Sequence, residues 1–196
     1  MVEKEGENIR SFIAIEMPPH IIDRAVSIQE KLGRNIKSIR WVRREGIHLT
    51  LKFLGDIRPD DTEILGELLE PACRQHVPFD LTLDGLGAFP DMKRPRVLWL
   101  GLEGELDRLN YLWADVEKAC KEAGFAEEKR RFSPHLTLGR VKDGRIKKED
   151  LAGLMNAMSF DSSESFRVDA LYLYESKLRP QGAIYTKLKT FPLGGE

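Results

Sequence analysis

One tetrapeptide, His-Leu-Thr-Leu, occurs twice in this sequence, beginning at His48 and again at His135, and it uses two of the four histidines. In each copy leucine alternates with a polar residue, which is typical of a half-buried β-strand. The pattern predicts that His48 and Thr50 share one face of the first strand and that His135 and Thr137 share one face of the second. The fold must therefore contain two equivalent strands, each with a histidine and a threonine facing away from the core.

The alternation continues beyond the first copy, through Leu51 to Phe53. It predicts that Phe53 faces the core and that Lys52 shares the face of His48. If the two strands border one cleft, two imidazoles and two hydroxyls converge on a ligand, and one imidazole can donate a proton while the other accepts one. Such a site cleaves phosphoesters without a metal. The alternative is a pair of ordinary solvated strand faces, but the duplication favours function.

Segments throughout the chain resemble one family, the 2H phosphoesterases, and within it the prokaryotic RNA 2',3'-cyclic phosphodiesterases, also called 2'-5' RNA ligases. The similar segments are residues 10–16, 41–42, 51–55, 95–101 and 132–140. The resemblance implies an α+β fold with two lobes related by a pseudo-two-fold axis. Largely antiparallel sheets would flank a central cleft, with the helices on the outer faces.

The same resemblance implies hydrolysis of RNA or nucleoside 2',3'-cyclic phosphate ends to 2'-phosphates, with reversible 2'-5' ligation as a further activity. His48 would donate a proton to the leaving O3' and His135 would accept one from water, although the residues alone do not order these roles. Thr50 and Thr137 would donate hydrogen bonds to the phosphate oxygens. We expect RNA or oligonucleotide ends as partners, and neither a cofactor nor a metal.

Further contacts have two interpretations each. The family resemblance implies that Arg140 is a phosphate-binding cation, but it is equally well a surface arginine at a strand end. In a regular strand Arg140 would face away from the side of His135, so a bend or bulge would be needed. Arg130 and its neighbour Arg131 carry the same ambiguity. Phe12 and Trp41 could stack on a base, but aromatic residues in strands are more often part of the core.

Composition limits the kind of RNA contact. The chain has 41% hydrophobic and 32% charged residues, with 31 basic against 32 acidic side chains. No broad basic surface is therefore predicted, and any RNA contact should be local, made by a few arginines at one site. The charged start and the lack of a membrane-length apolar window predict a cytoplasmic protein with no membrane contact. We expect a monomer and treat residues 1–196 as one two-lobed domain.

The patterns of hydrophobicity and turn residues predict alternating strands and helices. Strands are expected near residues 9–16, 39–42, 78–88, 95–102, 166–174 and 183–190, and helices near 18–33, 59–69, 105–123 and 151–155. The segment 39–42 should form a hairpin with the first His-Leu-Thr-Leu strand. Cys73 and Cys120 should be buried reduced thiols, and His20 and His76 ordinary surface or capping residues.

Two other functions stay open. A nucleotide-binding module could keep the cleft without turnover, although binding alone does not need two proton-transfer groups. A related enzyme could act on a small molecule such as ADP-ribose 1'',2''-cyclic phosphate. Incubation with a cyclic nucleotide and EDTA distinguishes an enzyme, which forms product, from a module, which only binds.

Overall fold

The computed structural model describes residues 8–142, 164–179 and 182–194. These ranges contain one nine-stranded sheet and three α-helices. The strands are β1 (Ile9–Glu16), β2 (Ile39–Trp41), β3 (His48–Ile57), β4 (Phe79–Phe89), β5 (Val97–Gly104), β6 (Leu136–Val141), β7 (Ser165–Val168), β8 (Ala170–Arg179) and β9 (Gly182–Pro192). The helices are α1 (Pro19–Asn35), α2 (Asp61–Arg74) and α3 (Leu106–Glu122), and a 3₁₀ turn covers Arg44–Gly46.

The strand order divides the sheet into two equivalent halves. The order is β7-β4-β5-β6-β3-β1-β8-β9, with β2 beside β6. The two His-Leu-Thr-Leu strands, β3 and β6, are antiparallel neighbours at the centre, where Leu49 pairs with Leu136. These leucines are the second residues of the two copies, so a pseudo-two-fold axis passes through the pair. The predicted α+β fold with two pseudo-symmetric lobes is confirmed, and the lobes are halves of one continuous sheet.

The helices bury their apolar faces in a core that they share with the strands. Helix α1 starts at a proline, which suits the first helical position because no N–H is needed there. Its Ile21, Ala25, Ile28 and Leu32 recur at helical spacing and are fully buried. This packing leaves the opposite side of the sheet to line the cleft.

Strand β3 contains a β-bulge inside the first His-Leu-Thr-Leu copy. Thr50 and Lys52 pair with consecutive residues of β1, so Leu51 is an extra residue without a partner there. A bulge reverses the in-out alternation of the residues that follow it. Lys52 is consequently buried, at 5% exposure, whereas Phe53 is 72% exposed. The predictions that Lys52 shares the face of His48 and that Phe53 faces the core are therefore wrong.

Strand β6 contains a bulge at the equivalent position. Thr137 and Gly139 pair with consecutive residues of β5, which leaves Leu138 as the extra residue. Leu138 is buried and Arg140 is exposed. The bulge that Arg140 needs in order to share the face of His135 is thus present.

Strands β2 and β3 do not form the predicted hairpin. Strand β2 pairs with β6, with Trp41 opposite Gly139. Both β2 and β3 are antiparallel to β6, so they run in the same direction, one after the other. The buried side-chain amide of Gln29 fixes this arrangement, because it donates hydrogen bonds to the carbonyls of Val42 and Leu138, both at 2.9 Å.

The strand predicted at residues 166–174 is two strands. Strand β7 pairs with β4 in one half of the sheet, and β8 pairs with β1 in the other. Because only Asp169 separates them, the sheet must curl until its halves approach each other. The helix predicted at 151–155 lies outside the described residues. No helix in the described ranges is both long and apolar enough to cross a membrane.

The two cysteines agree with the prediction. Cys73 in α2 and Cys120 in α3 are both buried free thiols. Burial raises the pKa of each thiol to about 12, because the charged thiolate is poorly solvated there. These thiols therefore belong to the packing of the helices.

Candidate active site

The histidines and threonines of the two His-Leu-Thr-Leu copies meet at the central seam of the sheet. Because the second residues of the copies pair there, His48, Thr50, His135 and Thr137 all lie within one residue of that pair. Continuing the antiparallel register by one residue sets His48 across from Thr137 and Thr50 across from His135. The Cβ atoms of directly opposed residues are about 4.5–5.5 Å apart. The four side chains can therefore surround one small anion.

His48 lies in an aromatic pocket of about 310 Å³ that Phe12, Tyr174 and Tyr185 also line. The ring of Phe12 stacks on the imidazole at a centroid distance of 4.7 Å, and Tyr185 meets it edge-on at 5.3 Å. The imidazole forms no hydrogen bond with another described residue. Burial lowers the pKa of His48 to about 4, because the charged imidazolium is poorly solvated. In the free protein His48 is therefore neutral near pH 7.

His135 has a different environment. Its Nδ1 lies 2.7 Å from the carbonyl oxygen of Ser133, and Phe89 meets the ring edge-on at 4.9 Å. A carbonyl only accepts hydrogen bonds, so Nδ1 carries the proton of the neutral ring and Nε2 has the free lone pair. Burial lowers the pKa of His135 and the charge of Arg140 lowers it further, against an opposing effect of the Ser133 carbonyl. The arrangement is suited to accepting a proton at Nε2.

A second cavity, of about 340 Å³, adjoins the aromatic pocket. We call it the arginine pocket, and its defining residues are Arg40, Trp41, Arg43, Arg140, Arg179 and Tyr185. Of the predicted substrate contacts, Arg140 lies here, whereas the half-buried indole of Trp41 packs beside Gly33 of α1 and Gly139 of β6, against the core. Phe12, another predicted contact, is a buried residue that also forms a wall of the aromatic pocket. Its stacking on a base stays a prediction.

The other charged or histidine candidates lie away from these cavities. The side chain of Arg130 is 92% exposed and lies near Glu128, and Arg131 is also exposed. His20 contacts the backbone carbonyl of Ser165 at 2.9 Å. His76, predicted as a surface or capping residue, follows the end of α2, where its backbone N–H donates to the Cys73 carbonyl at 3.1 Å. Its side chain is only 14% exposed and contacts Asp115 at 2.8 Å.

Sequence reasoning missed most of the aromatic residues around the histidines. Tyr174 and Tyr185 lie beside His48, and Phe89 and Trp99 lie beside His135. The only signal in the sequence is that these aromatic residues lie within or next to predicted strands. That signal does not say which strand faces the cleft, because this depends on the order of the strands in the sheet.

A buried ion pair holds β3 from the helix side. The ammonium group of Lys52 donates to both carboxylate oxygens of Glu117 in α3, at 2.9 and 2.7 Å, and to the carbonyl of Ala126 at 2.8 Å. All three of its donors are thus satisfied. Gln29 has the corresponding role for β6, through its bond to the Leu138 carbonyl. Both bulged strands are therefore fixed by polar helix residues.

The described residues contain no cluster of metal-binding groups. Within residues 8–142, 164–179 and 182–194, no three side chains of the types His, Cys, Asp and Glu lie close enough together to hold a metal ion.

Comparison with known proteins gives the family of the chain. The profile of the 2'-5' RNA ligase superfamily matches residues 18–179. The chain belongs to this superfamily.

Individual relatives agree with that assignment. An RNA 2',3'-cyclic phosphodiesterase of Thermotoga maritima is 37% identical over 183 residues, covering 92% of this chain and 93% of that protein. The protein of the same name from Methanothermobacter thermautotrophicus is 32% identical over 185 residues, or 94% of this chain and 99% of the relative. The crystal structure of E. coli LigT complexed with 3'-AMP has a TM-score of 0.77 and 27% identity, covering 95% of this chain and 99% of LigT.

Proposed function

We propose that this protein hydrolyses the 2',3'-cyclic phosphate ends of RNA to 2'-phosphates, by acid-base catalysis without a metal, within one two-lobed domain. The observation that carries the proposal is the meeting of both His-Leu-Thr-Leu copies at the Leu49 and Leu136 pair. The activity of the relatives from Thermotoga maritima and Methanothermobacter thermautotrophicus, which match over most of the chain, supports the same reaction.

His135 acts as the general base. Its Nδ1 proton is directed to the Ser133 carbonyl, so Nε2 is free to take a proton from water as the water attacks phosphorus. The lowered pKa of His135 keeps the ring neutral near pH 7, as a base requires. This supports the order of roles implied by the resemblance.

His48 then acts as the general acid and protonates the leaving O3'. Its pKa of about 4 in the free protein is unfavourable for this role. The substrate changes the balance, because an anionic phosphate beside an imidazole in a poorly solvated pocket favours the charged imidazolium. His48 therefore takes up its proton when the cyclic phosphate binds.

We expect an anion in the cleft to raise the pKa of His48 from about 4. The sign is upward because the negative charge stabilises the protonated ring. Ring-detected NMR titrations of His48, with and without inorganic phosphate or a nucleoside 2'-phosphate, measure the change. His20, which is exposed and contacts the Ser165 carbonyl, is the reference and should not respond. An unchanged His48 pKa with the phosphate bound would contradict its role as the acid.

Thr50 and Thr137 donate hydroxyl hydrogen bonds to the non-bridging phosphate oxygens. Replacing either with valine keeps the β-branched shape but removes the donor. We expect kcat/KM to fall by about 10²- to 10³-fold with the bell-shaped pH profile retained, because both imidazoles remain. Thr82→Val is the matched control, since the Thr82 hydroxyl bonds Ser165 at 2.7 Å, in the pairing of β4 with β7. Full activity of both cleft variants would make these threonines structural.

The proposed function is tested by incubating the protein with nucleoside 2',3'-cyclic phosphates and with RNA that ends in one, in the presence of EDTA. We expect 2'-phosphate products, identified by ³¹P NMR, at a rate that EDTA leaves unchanged. Activity that chelation abolishes and a divalent ion restores would contradict the two-histidine mechanism. Saturable binding without product would indicate a nucleotide-binding module. Turnover of ADP-ribose 1'',2''-cyclic phosphate alone would indicate a small-molecule phosphodiesterase.

Ligation through a 2'-5' linkage uses the same groups. A 5'-hydroxyl replaces water as the nucleophile, His135 takes its proton, and O3' leaves as before. Water is in large excess and hydrolysis is downhill, so we propose phosphodiesterase activity as the main reaction.

A further inference from the structure

The chemistry proposed for the two histidines leaves most of the arginine pocket without a role. The bulge at Leu138 puts Arg140 on the same face of β6 as His135, so we assign it to the cyclic phosphate. Arg40, Arg43 and Arg179 line the same cavity but have no assigned partner in the reaction. The pocket therefore has more positive charge than one phosphate needs.

The arginine pocket adjoins the aromatic pocket that contains His48. Tyr185 and Glu45 line both cavities. The ring of Tyr185 is also in edge-on contact with His48. An RNA strand whose last nucleotide occupies the aromatic pocket can therefore cross Tyr185 and enter the arginine pocket without leaving the protein surface.

The charges of the arginine pocket are not balanced by the protein. Four guanidinium groups line it against a single described carboxylate, that of Glu45. Arg40, Arg43, Arg140 and Arg179 form no ion pair in the described ranges, where other arginines such as Arg44, Arg58 and Arg167 do. The whole chain has a net charge of only -1, so this positive cluster is local.

The backbone itself holds two of these cations together. Arg40 and Arg140 are directly opposite each other in the register of β2 and β6. Like charges in that arrangement repel each other and destabilise the strand pair. An anion between them removes the repulsion, and guanidinium groups suit phosphate because they can donate two parallel hydrogen bonds.

The pocket has an aromatic ring at its border with the aromatic pocket. Tyr185 lines both cavities, whereas Trp41 packs its indole beside Gly33 of α1, on the other face of β2 from Arg40. Single-stranded RNA is commonly bound by aromatic rings beside cations that hold the backbone. Phosphate-binding cations and one aromatic ring are thus adjacent here.

We infer that the arginine pocket is a second nucleotide subsite, which binds the phosphodiester on the 5' side of the terminal nucleotide. The inference rests on the proposed function, which places the cyclic phosphate at the histidines. It predicts a substrate longer than a mononucleotide. The RNA would leave the cleft between β2 and the paired strands β8 and β9, where Arg43 and Arg179 lie.

The test compares adenosine 2',3'-cyclic phosphate with the dinucleotide ApA that ends in a 2',3'-cyclic phosphate. The wild-type protein should have a higher kcat/KM for the dinucleotide. The double variant Arg43→Gln/Arg179→Gln should lose about 10- to 100-fold in kcat/KM for the dinucleotide, with the mononucleotide as the internal reference. The salt dependence of the dinucleotide reaction should also become shallower, by about 0.7 in the logarithmic slope for each phosphate that the variant no longer neutralises.

The double variant Arg74→Gln/Arg108→Gln is the matched control, because it removes two positive charges from exposed ion pairs on helices α2 and α3. This control should change neither the preference in kcat/KM for the dinucleotide over the mononucleotide nor the salt dependence of the dinucleotide reaction. Equal kcat/KM of the wild-type protein for both substrates would overturn the subsite, and so would equal losses on both substrates in the Arg43/Arg179 variant. An effect confined to ligation, and absent from hydrolysis, would overturn it too, since the pocket would then bind the acceptor strand.

Failure of the proposed function has a different outcome. In that case the wild-type protein turns over neither substrate, and the pocket is judged by binding of the uncyclised dinucleotide ApA, measured by isothermal titration calorimetry. Binding that the Arg43/Arg179 variant loses supports the subsite, and binding that it keeps overturns it.

Discussion

Replacing either His48 or His135 with glutamine is expected to reduce kcat/KM for 2',3'-cyclic phosphate hydrolysis by about 10²- to 10⁴-fold, with the fold intact. Glutamine keeps a polar side chain but cannot cycle between proton donor and acceptor near neutral pH. The fold should survive because the core below these residues consists of the intervening leucines, Leu49 and Leu136, which are fully buried. Initial rates and far-UV circular dichroism measure the two effects.

The double variant distinguishes one concerted step from two independent contributions. If His48 and His135 act together, removing both should cost little more than removing the more important one. His20→Gln is the control, because that side chain contacts the Ser165 carbonyl and neither cavity. Losses that multiply in the double variant would mean that the two histidines contribute independently and not in one concerted step.

Glu117→Gln is expected to destabilise the protein by about 3–5 kcal/mol, although the side chain keeps its size. The change removes the negative partner of Lys52 and leaves an uncompensated charge in the core. Urea unfolding, followed by circular dichroism, gives the loss in unfolding free energy. The reason for the size of the effect is burial, since the ammonium group has no access to water to replace its partner.

Two further variants show that burial decides the effect. The double variant Lys52→Met/Glu117→Gln should recover part of the loss, because no buried charge remains. Glu63→Gln removes the exposed partner of Lys189, at 2.6 Å, and should cost no more than about 1 kcal/mol. A Glu117→Gln variant within about 1 kcal/mol of the wild type would contradict the role of this pair.

The candidate site residues could be predicted because repetition is visible in the sequence. Two copies of one tetrapeptide with strand alternation predict that His48 and His135 lie on equivalent strands. The copies also predict the positions of Thr50 and Thr137, since a strand repeats every two residues. The catalytic roles of these four residues stay predictions until the variants are measured.

The errors have one common cause, which is that the pairing of strands depends on distant residues. The alternation from Ile47 to Phe53 fits a regular strand, and nothing in it shows that β1 skips one residue of β3. Lys52 points into the core because Glu117 receives it there, far away along the chain. The predicted hairpin between β2 and β3 was wrong for the same reason, since β2 is fixed by a glutamine in α1.

The pairing of Leu49 with Leu136 has the geometry of an isologous interface, in which identical chains meet through the same residue. An interface between identical chains would have to give both histidines one environment. Here the two copies belong to one polypeptide, so the symmetry can be broken. One imidazole is enclosed by aromatic rings, and the other has its tautomer set by a backbone carbonyl and its charge opposed by a neighbouring arginine. Two copies of the tetrapeptide within one chain thus allow the two histidines to take different roles, as the proposed acid and base require.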